Sequence, residues 1–558
     1  MNSLSESDDL DLELVSSEYD KFANNDLRNT QITENFVITE YSGEICLFRP
    51  EYFQDMENYI DSGIITGTIN SSKTIVICNE ISAPYFEKYG GECRVLKCSR
   101  GVFLKILDRY YGLYSLFLAE YLRIFIYPRC SAFIFSSYLT RLSIFCFFSL
   151  AQILIFYFGF LGFMICVLQF LNLVFKIIVS AKAIFDPIAQ ETVELGDDND
   201  LPVYSILVPL YREAGKIGSI IRALEALDYP KDKLDIKLIV EFDDTQTLKA
   251  IKLQSLPSYY HLVVVPNGYP QTKPRACNYA SKYIMGEYLV VYDAEDKPEK
   301  SQLKKSVAQF KKLDKSYICL QSRLQISSKN SSLLVQFFKQ EYDIWFGVIL
   351  YGMTKLGLPI GLGGTSNHFK VDALRKLGFW DPYNVTEDAE IGMRISLAGY
   401  KAYMLDSYTI EDGHISLSSW ISQRSRWIKG FMITLISYIR MEKKDQSIFH
   451  ITSNIIFLGI SSVGFLLFPI SLFSICMYGT RYHETIVFIA NSLLYLALSW
   501  GLSYFCMKRS KSEISFFDRV IIFLFPAYFI LHSIAAFIAL FEMLFAPFFW
   551  KKTDHDMF

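Results

Sequence analysis

Apolar residues are concentrated in two stretches that flank a more polar middle part. The first stretch, from Leu142 to Ala181, contains Lys176 as its only charge. A bilayer core takes about 20 helical residues, so this stretch predicts two transmembrane helices over residues 142–181. The second stretch, residues 451–550, contains long apolar runs and predicts about three further transmembrane helices. The pattern therefore indicates a multi-pass membrane protein.

The charges beside these stretches predict their orientation. Arg141, Lys182 and the basic loop KRSKSEISFFDR (508–519) are expected on the cytosolic side, where loops carry an excess of Lys and Arg. Three crossings after a cytosolic middle part would leave the C-terminus outside. A re-entrant or interfacial piece near Pro526 would instead return the tail to the cytosol.

The middle part alternates between apolar strands and helical stretches. Strands are predicted at 204–210, 237–244, 261–266 and 287–296, with helices between them. This alternation predicts an α/β domain over residues 201–440, in which ligands bind at the carboxyl ends of the strands. Polar residues directly after these strands are therefore the first candidates for a site.

The N-terminal part is predicted to form a tail and a small domain. Residues 1–35 are acidic and lack the basic-then-apolar pattern of a cleavable signal peptide, so they predict a disordered cytosolic tail. Residues 36–130 contain short strand and helix patterns and predict a small α+β cytosolic domain. A folding or docking role and a regulatory role both remain open for it.

Composition narrows the classes of function. The chain is 51% hydrophobic and only 20% charged, which is typical of a membrane protein. Its net charge of -3 gives no bias towards a polyanion, so nucleic acid is not expected as a partner. The 11 Cys residues have no paired CxxC spacing and many lie in apolar runs, so neither a zinc site nor a disulfide framework is predicted.

Acidic residues follow two of the predicted strands. Asp293, Glu295 and Asp296 come directly after one, and their carboxylates suit Mg²⁺ or Mn²⁺ held against a diphosphate, because hard cations prefer oxygen ligands. A solvated acidic turn before a helix explains the same residues, since carboxylates also favour helix N-termini. Asp243 and Asp244 end an earlier strand and leave the same two explanations open.

Three other segments offer complementary chemistry. Lys273, in QTKPRACN, either meets a diphosphate as a point charge or is a surface lysine. Asp388, in VTEDAE, is either a general base or an acid that complements a helix dipole. Gln423, Arg426 and Trp427 share one helix face. They suit either a phosphate clamp with a sugar platform or an Arg-Trp pair at a membrane interface.

In chain order, these segments resemble a known family. The motifs VPLYRE, FDD, TKPRACN, YDAED, GGTSNHF, TED and QRSRW run from Pro209 to Trp427. They are similar to those of the processive, membrane-embedded members of glycosyltransferase family 2, such as cellulose, hyaluronan and chitin synthases. The segments YDAEDxPE, LGGTSNHF, WDPYNVTEDA and PFxWxKTxH resemble a bacterial subgroup of that family more closely still.

A weaker resemblance lies in the N-terminal part. The segment EKYGGECRVLKCSRGVFLKILDRYYG (87–112) resembles the N-terminal domain of type II secretion ATPases, some of which bind cyclic di-GMP. That domain also precedes certain membrane glycosyltransferases. The RLGxxL-type nucleotide-binding motif does not occur in this segment. Cyclic di-GMP is therefore implied only as a candidate regulator of this domain.

The family resemblance implies a fold and a site. It implies a GT-A (Rossmann-like) catalytic domain with an interfacial helix over residues 201–440, inserted between transmembrane helices. The donor would be a nucleotide sugar, UDP-linked, contacted by Pro209, Tyr211, Glu213, Asp243, Asp244, Lys273, Asp293, Gln423 and Arg424. Mg²⁺ or Mn²⁺ would be held by Asp293 and Glu295, where the family more commonly has a second Asp. Asp388 would be the base, acting beside Glu387 and Arg426. The acceptor would be bordered by Gly363, Gly364, Thr365, Asn367 and Trp427.

The reaction implied is an inverting, metal-dependent transfer that polymerises a nucleotide sugar into a β-linked polysaccharide. The growing glycan would be extruded through the lipid bilayer of a bacterial cytoplasmic (inner) membrane, from a cytosolic catalytic domain. One alternative is a non-processive transferase that uses a lipid-linked acceptor. The other is a regulatory or receptor-like membrane component with a vestigial transferase domain.

Overall fold

The structure is a computed structural model that describes most of the chain. It describes strands between residues 31 and 98, and then residues 100–129, 131–157, 159–185, 198–327, 332–413, 416–441, 447–460, 462–466, 469, 484–510 and 513–549. Residues 1–30 of the predicted tail and the end of the PFxWxKTxH motif lie outside the described residues. The chain falls into two compact units, residues 1–118 with 279–285 and residues 119–278 with 286–558.

The first unit contains a six-stranded sheet in which the strands lie side by side in chain order. Its strands are β1 (Gln31–Ile32), β2 (Val37–Tyr41), β3 (Glu44–Pro50), β4 (Ile64–Ile69), β5 (Ser72–Cys78) and β6 (Arg94–Cys98). Strands β5 and β6 pair in parallel and the other neighbours pair antiparallel. Helix α1 (Arg100–Ile126) follows the sheet. Binding of cyclic di-GMP to this unit stays a prediction.

The second unit is built on an eight-stranded mixed sheet. Its strands are β7 (Tyr204–Leu210), β8 (Leu234–Glu241), β9 (Tyr260–Val265), β10 (Tyr288–Val291), β11 (Lys297–Pro298), β12 (Tyr317–Ile326), β13 (Asn367–Lys370) and β14 (Lys401–Glu411). They lie in the order β11-β14-β12-β13-β10-β7-β8-β9. Strands β10, β7, β8 and β9 are mutually parallel, and β13 pairs antiparallel with both β10 and β12. This is the α/β architecture that the sequence predicts.

Helices connect these strands and continue beyond them. They are α4 (Ile217–Glu225), α5 (Thr245–Lys252), α6 (Lys273–Ser281), α7 (Gln302–Lys312), α8 (Leu333–Ile344), α9 (Leu350–Lys355), α10 (Val371–Lys376), α11 (Glu387–Leu397) and α12 (Leu417–Arg440). The apolar stretches on either side form α2 (Tyr138–Tyr157), α3 (Gly159–Phe185), α13 (Ile448–Ile460), α14 (Glu484–Ser510), α15 (Phe516–Leu524) and α16 (Tyr528–Phe545).

The central strands form because they are apolar along their whole length. Every residue of β8 is buried, and so is nearly every residue of β7, as expected where helices cover both faces of a parallel sheet. Strand order reverses at β7, which lies between β8 and β10. In open α/β sheets, ligands bind in the crevice outside the carboxyl ends of strands at such a reversal. The fold therefore points to the ends of β7 and β10.

Two predicted strands end earlier than expected, for a local reason in each case. Strand β8 ends at Glu241 rather than residue 244, because the Asp244 side chain caps α5 by accepting a hydrogen bond from the Thr247 N–H at 3.1 Å. Strand β10 ends at Val291, because the chain turns where Asp296 accepts a hydrogen bond from the Asp293 N–H at 2.7 Å. Short polar side chains compete in this way with strand pairing.

The structure supports the prediction of membrane-spanning helices in part. Among the described residues, one helical segment, Phe516–Phe545, is long and apolar enough to cross a bilayer by length and composition. It contains α15, a 3₁₀ turn around Pro526 and α16. Helices also occupy the predicted apolar stretch over residues 142–181, as α2 and α3. The number of membrane crossings and their orientation stay predictions.

A buried ionic network joins the end of α1 to α11. The Arg123 guanidinium meets Glu390 at 2.9 Å, and both side chains are almost fully excluded from solvent. Arg394 binds the same carboxylate at 2.5 Å and donates to the Phe379 carbonyl at 2.6 Å. Because burial of an unpaired charge is costly, this carboxylate depends on both arginines.

We predict that Arg123→Ala destabilises the second unit, because Glu390 then keeps one of its two buried partners. The expected loss is about 3 kcal/mol of unfolding free energy. Thermal unfolding of the purified full chain in detergent measures it. The matched control is Arg129→Ala at an exposed position, with an expected change within about 0.5 kcal/mol. Equal shifts for the two variants would contradict this account.

Candidate active site

One wall of the candidate site is formed by the carboxyl ends of β7 and β10. Pro209 belongs to β7, and Tyr211 and Glu213 follow it. Asp293 and Glu295 follow β10. All five residues line a single cavity at the point where strand order reverses. The fold thus brings together two segments that lie some 80 residues apart in sequence, about the separation expected of two βαβ units.

Lys273 connects this wall to the loop that precedes β13. It begins α6, and its Nζ atom pairs with the Asp293 carboxylate and donates to the Gly364 carbonyl at 2.7 Å. Burial alone would lower the pKa of Lys273, but the carboxylates of Asp293 and Glu387 outweigh it and raise that pKa. The side chain is therefore a fixed positive charge inside the cavity.

The opposite wall is the N-terminus of α11. Thr386 is its N-cap residue, and Glu387 and Asp388 are its first two helical residues. Burial raises the pKa of Asp388, whereas the Ala389 N–H, which donates to its carboxylate at 2.8 Å, and the charge of Lys273 oppose the rise. Burial and the neighbouring Asp388 also raise the pKa of Glu387. Two acids therefore lie side by side in one buried turn.

Gly364 lies beside residues of both walls. A Cβ atom on this residue would lie 3.5 Å from Asp388 Oδ2 and 3.9 Å from Lys273 Nζ. A Cβ atom here would therefore be in ordinary van der Waals contact with both groups. A larger residue there would fill the cavity between the two groups.

Helix α12 closes the cavity with one face. Gln423, Arg426 and Trp427 all line it, as their i, i+3 and i+4 spacing predicts. Arg426 donates to the Val385 carbonyl at 3.3 Å, next to the turn that carries the two acids. Gln423 Oε1 is buried and accepts no hydrogen bond from the residues that the structure describes, so it is an acceptor available to a ligand.

The cavity collects most of the residues that the sequence singles out. Those lining it are Pro209, Tyr211, Glu213, Lys273, Asp293, Glu295, Gly364, Thr365, Glu387, Asp388, Gln423, Arg426 and Trp427. Five residues to which the family resemblance assigns a role do not line it: Asp243, Asp244, Gly363, Asn367 and Arg424.

These five residues have other positions in the structure. Asp243 accepts a hydrogen bond from Gln271, which itself lines the cavity, at 3.0 Å. Asp244 caps α5 and accepts from the Arg212 N–H, so it shapes the turn after β7. Asn367 is buried in β13 and donates to the Gly363 carbonyl at 2.6 Å, which fixes the loop before that strand. Arg424 and Gly363 line a second cavity.

Other residues line the cavity without having been predicted. Glu411 lies at the end of β14, and burial followed by the neighbouring Asp296 and Glu295 raises its pKa. Glu241 ends β8, and burial raises its pKa to about 7. Glu241 obeys the rule that located Asp293, a carboxylate at the end of an apolar strand. Glu411 ends a strand in which polar and apolar residues are mixed, so the same rule does not find it.

The wall formed by the ends of β7 and β10, called the donor wall below, carries carboxylates that suit a divalent cation. Among the described residues, no group of three or more His, Cys, Asp or Glu side chains is arranged to hold an ion alone. Mg²⁺, however, usually binds through one or two carboxylates together with substrate phosphates. Asp293 and Glu295 supply two carboxylates to one cavity wall, and burial followed by the charge of Asp293 raises the pKa of Glu295. The residues present fit an ion whose remaining ligands come from a diphosphate.

A second cavity adjoins the first. Both are lined by Leu324, Tyr342, Gly364, Thr386, Asp388 and Trp427. Its other walls are largely apolar and aromatic, from Phe175, Ile344, Trp345, Phe346, Ile349, Leu362, Ile428, Phe431, Phe457, Phe465, Leu502, Phe525 and Phe529. Asp388 and Trp427 therefore stand between a polar, charged cavity and an aromatic one.

Sequence comparison assigns this domain to a class. The model of the family described as "Glycosyltransferase like family 2" matches residues 202–430, which include every residue named for the first cavity. Residues 202–430 are therefore similar to a family 2 glycosyltransferase domain. The predicted class of enzyme is confirmed for this domain.

Relatives of known name agree with that class. The chain is 24% identical over 243 residues to "Probable glycosyltransferase YdaM" of Bacillus subtilis, covering 43% of this chain and 58% of the relative. It is 23% identical over 354 residues to "Probable glucomannan 4-beta-mannosyltransferase 1" of Arabidopsis thaliana, covering 58% and 64%. It is 26% identical over 246 residues to "Beta-monoglucosyldiacylglycerol synthase" of Synechocystis, covering 43% and 50%. The chain thus spans less than two thirds of the length of these curated relatives.

Solved structures are similar only in part. The mannosyltransferase PcManGT from Pyrobaculum calidifontis, in complex with GDP-Man and Mn²⁺, has a TM-score of 0.43 at 17% identity and covers 67% of this chain and 98% of its own. Residues 1–349 of TarS from S. aureus, in complex with UDP-GlcNAc, have a TM-score of 0.34 at 14% identity and cover 54% and 80%.

Proposed function

We propose that the chain transfers a hexosyl group from a UDP-linked sugar to a hydroxyl group of a growing glycan, with inversion at the anomeric carbon. One observation carries the proposal. Asp388 lines both cavities, and Gly364 leaves open the space between its carboxylate and Lys273. A donor bound on the strand-end wall and an acceptor in the aromatic cavity would meet at this aspartate.

The donor side carries the charges that a diphosphate requires. Lys273 presents a fixed positive charge at the end of β10, and Arg426 presents a second on the facing helix. Both would bind the oxygens of the diphosphate and stabilise the negative charge that it gains on leaving. Asp293 and Glu295 would hold a Mg²⁺ or Mn²⁺ ion, which when bound neutralises part of the same charge. Tyr211 and Glu213 would contact the nucleoside.

The acceptor side carries a base. Asp388 would accept the proton of the acceptor hydroxyl while that oxygen forms a bond to the anomeric carbon. The bond from this carbon to the diphosphate oxygen breaks on the opposite face, and its electron pair leaves with the nucleoside diphosphate. A single displacement of this kind converts an α-linked donor into a β-linked product. Lys273 and Arg426 favour the charged form of Asp388 in spite of its burial.

The aromatic cavity supports polymerisation. Aromatic rings stack on the apolar faces of sugars, and this cavity begins at the base and continues among the apolar helices. A product sugar that slid past Trp427 would become the next acceptor. The Arabidopsis relative is named for the synthesis of a β-linked polymer, which is consistent with this reaction. We propose extrusion through the bilayer of a bacterial inner membrane.

A lipid acceptor is the second candidate function. The same cavity is lined mainly by apolar side chains, which would also suit an acyl or polyprenyl chain. The relative from Synechocystis is named as a synthase of a glucosyl lipid. A single transfer to a lipid would use the same donor wall and the same base.

One assay tests the function. Membrane vesicles containing the full chain are incubated with Mn²⁺ and, one at a time, with radiolabelled UDP-glucose, UDP-N-acetylglucosamine, UDP-galactose and GDP-mannose. We expect one UDP-linked sugar to give a labelled product of high mass that a β-specific glycanase degrades. A small, solvent-extractable product would instead establish the lipid acceptor. No turnover of any donor would favour the regulatory alternative and contradict an enzymatic role.

We predict that Asp388→Asn lowers the transfer rate by about 10²- to 10⁴-fold, because the amide cannot accept the acceptor proton. Donor affinity should change little, since the amide has nearly the same shape. Rate and donor affinity are measured on the same vesicles. Asp372→Asn, an exposed aspartate in the first turn of α10, is the control and should retain the full rate. Unchanged turnover in Asp388→Asn would refute the base assignment.

We predict that Asp293→Ala abolishes the part of donor affinity that depends on metal. Donor titrations with and without Mn²⁺ measure it. The unaltered protein should bind more tightly with Mn²⁺, and the variant should bind equally weakly in both conditions. Asp314→Ala, at an exposed position remote from the cavity, should behave like the unaltered protein. A metal-dependent gain that survives in Asp293→Ala would disprove its role as a ligand.

A further inference from the structure

Arg424 lies beside Gln423 in sequence but contacts different partners. It lines the aromatic cavity and not the donor cavity. Its guanidinium carbon lies 4.1 Å from the centre of the Trp427 ring, which is within the range of a cation–π contact. The side chain is almost completely buried, so solvent does not weaken this contact.

Glu341 fixes the position of that guanidinium. Its Oε2 atom accepts from Arg424 Nη2 at 2.8 Å and from the Tyr528 hydroxyl at 2.8 Å. Its Oε1 atom lies 3.3 Å from His532 Nε2. Glu341 belongs to α8 and the two further partners belong to α16, so the carboxylate connects three helices at the wall of the aromatic cavity.

The carboxylate stays charged, as this arrangement requires. Burial would raise the pKa of Glu341, but Arg424 and His532 outweigh it and lower that pKa to about 2. Trp420 donates from its indole N–H to the Tyr528 hydroxyl at 2.8 Å, which completes the hydrogen bonding of that group. A polar network of this kind, satisfied inside an apolar cavity, holds its members in one geometry.

We propose that Arg424, held by Glu341, is a positioning residue that fixes the Trp427 ring as the platform for the acceptor sugar. The proposal rests on the proposed function. The guanidinium lies over the Trp427 ring, and the same ring lines both cavities, so part of its surface is open to a sugar near Asp388. Arginine suits this role better than lysine, because its planar group can stack on the ring while it binds a carboxylate. Arg424 thereby serves the acceptor rather than the donor.

The test measures the KM for the acceptor and the KM for the donor separately. Arg424→Lys keeps a cation beside Glu341, so it preserves the buried ion pair, but it removes the planar stack. We expect the KM for a β-1,4-linked mannotetraose or cellotetraose acceptor to rise about tenfold, while the donor KM stays within about twofold. Glu341→Gln should also raise the acceptor KM. Arg440→Gln, on the same helix but outside both cavities, is the control and should change neither.

A double-mutant cycle shows whether Arg424 acts through the ring. In a Trp427→Leu background, Arg424→Lys should cause no further rise in the acceptor KM. Additive effects of the two changes, or an equal rise in donor KM, would overturn the proposal.

A direct binding measurement distinguishes failure of the platform proposal from failure of the proposed function. The same tetrasaccharides are titrated without donor against the unaltered protein, Arg424→Lys and Trp427→Leu. Weaker binding by both variants supports the platform even if no donor is turned over. Equal binding by all three proteins, or no binding by the unaltered one, would overturn it.

Discussion

The site depends on a few positively charged side chains in fixed positions, because these offset the negative charge of its buried carboxylates. Burial raises the pKa of Asp388, Glu387 and Glu295, so each would tend to protonate if it were isolated. Lys273 opposes this for the acids nearest to it, and its Nζ also joins the end of β10 to the loop that precedes β13. One lysine therefore influences the charge of both walls and fixes the end of β10 against the loop before β13. The donor wall keeps an excess of carboxylates, which suits a metal ion that arrives with a diphosphate.

The turn that carries Glu387 and Asp388 is supported by α12 and by the ion pairs of the next turn of α11. A Cβ atom on Gly430 would lie 2.3 Å from Thr386, so α12 packs directly against the N-cap of α11. One turn further along, Glu390 is fixed by Arg123 and Arg394. The first turn of α11 thus projects from a rigid element rather than from a free loop. Rigid support of this kind is what precise placement of a proton acceptor requires.

The parts of the fold and of the site that depend on local sequence patterns could be predicted from the sequence. Apolar runs located the parallel strands, and carboxylates after them located Asp293. Spacing placed Gln423, Arg426 and Trp427 on one face of α12. The same 3.6-residue period puts Arg424 on another face, where it lines the second cavity. Glu411 and the role of Asp244 were harder, because they depend on the pairing of β14 with β12 and on a turn that closes around Arg212. Long-range pairing of this kind leaves no local pattern.

Trp427 marks the boundary between the part of the site that binds the donor and the cavity that determines the product. A tryptophan at a membrane interface would face lipid, whereas this ring lines both cavities and stacks on a buried arginine. Polymerisation and transfer to a lipid share everything on the donor side of it: the strand-end wall, Lys273 and Asp388. They differ only in what occupies the aromatic cavity beyond the ring. Under the proposed function, processivity would therefore be a property of that cavity, since a product that stayed bound there would become the next acceptor without any change in the catalytic groups.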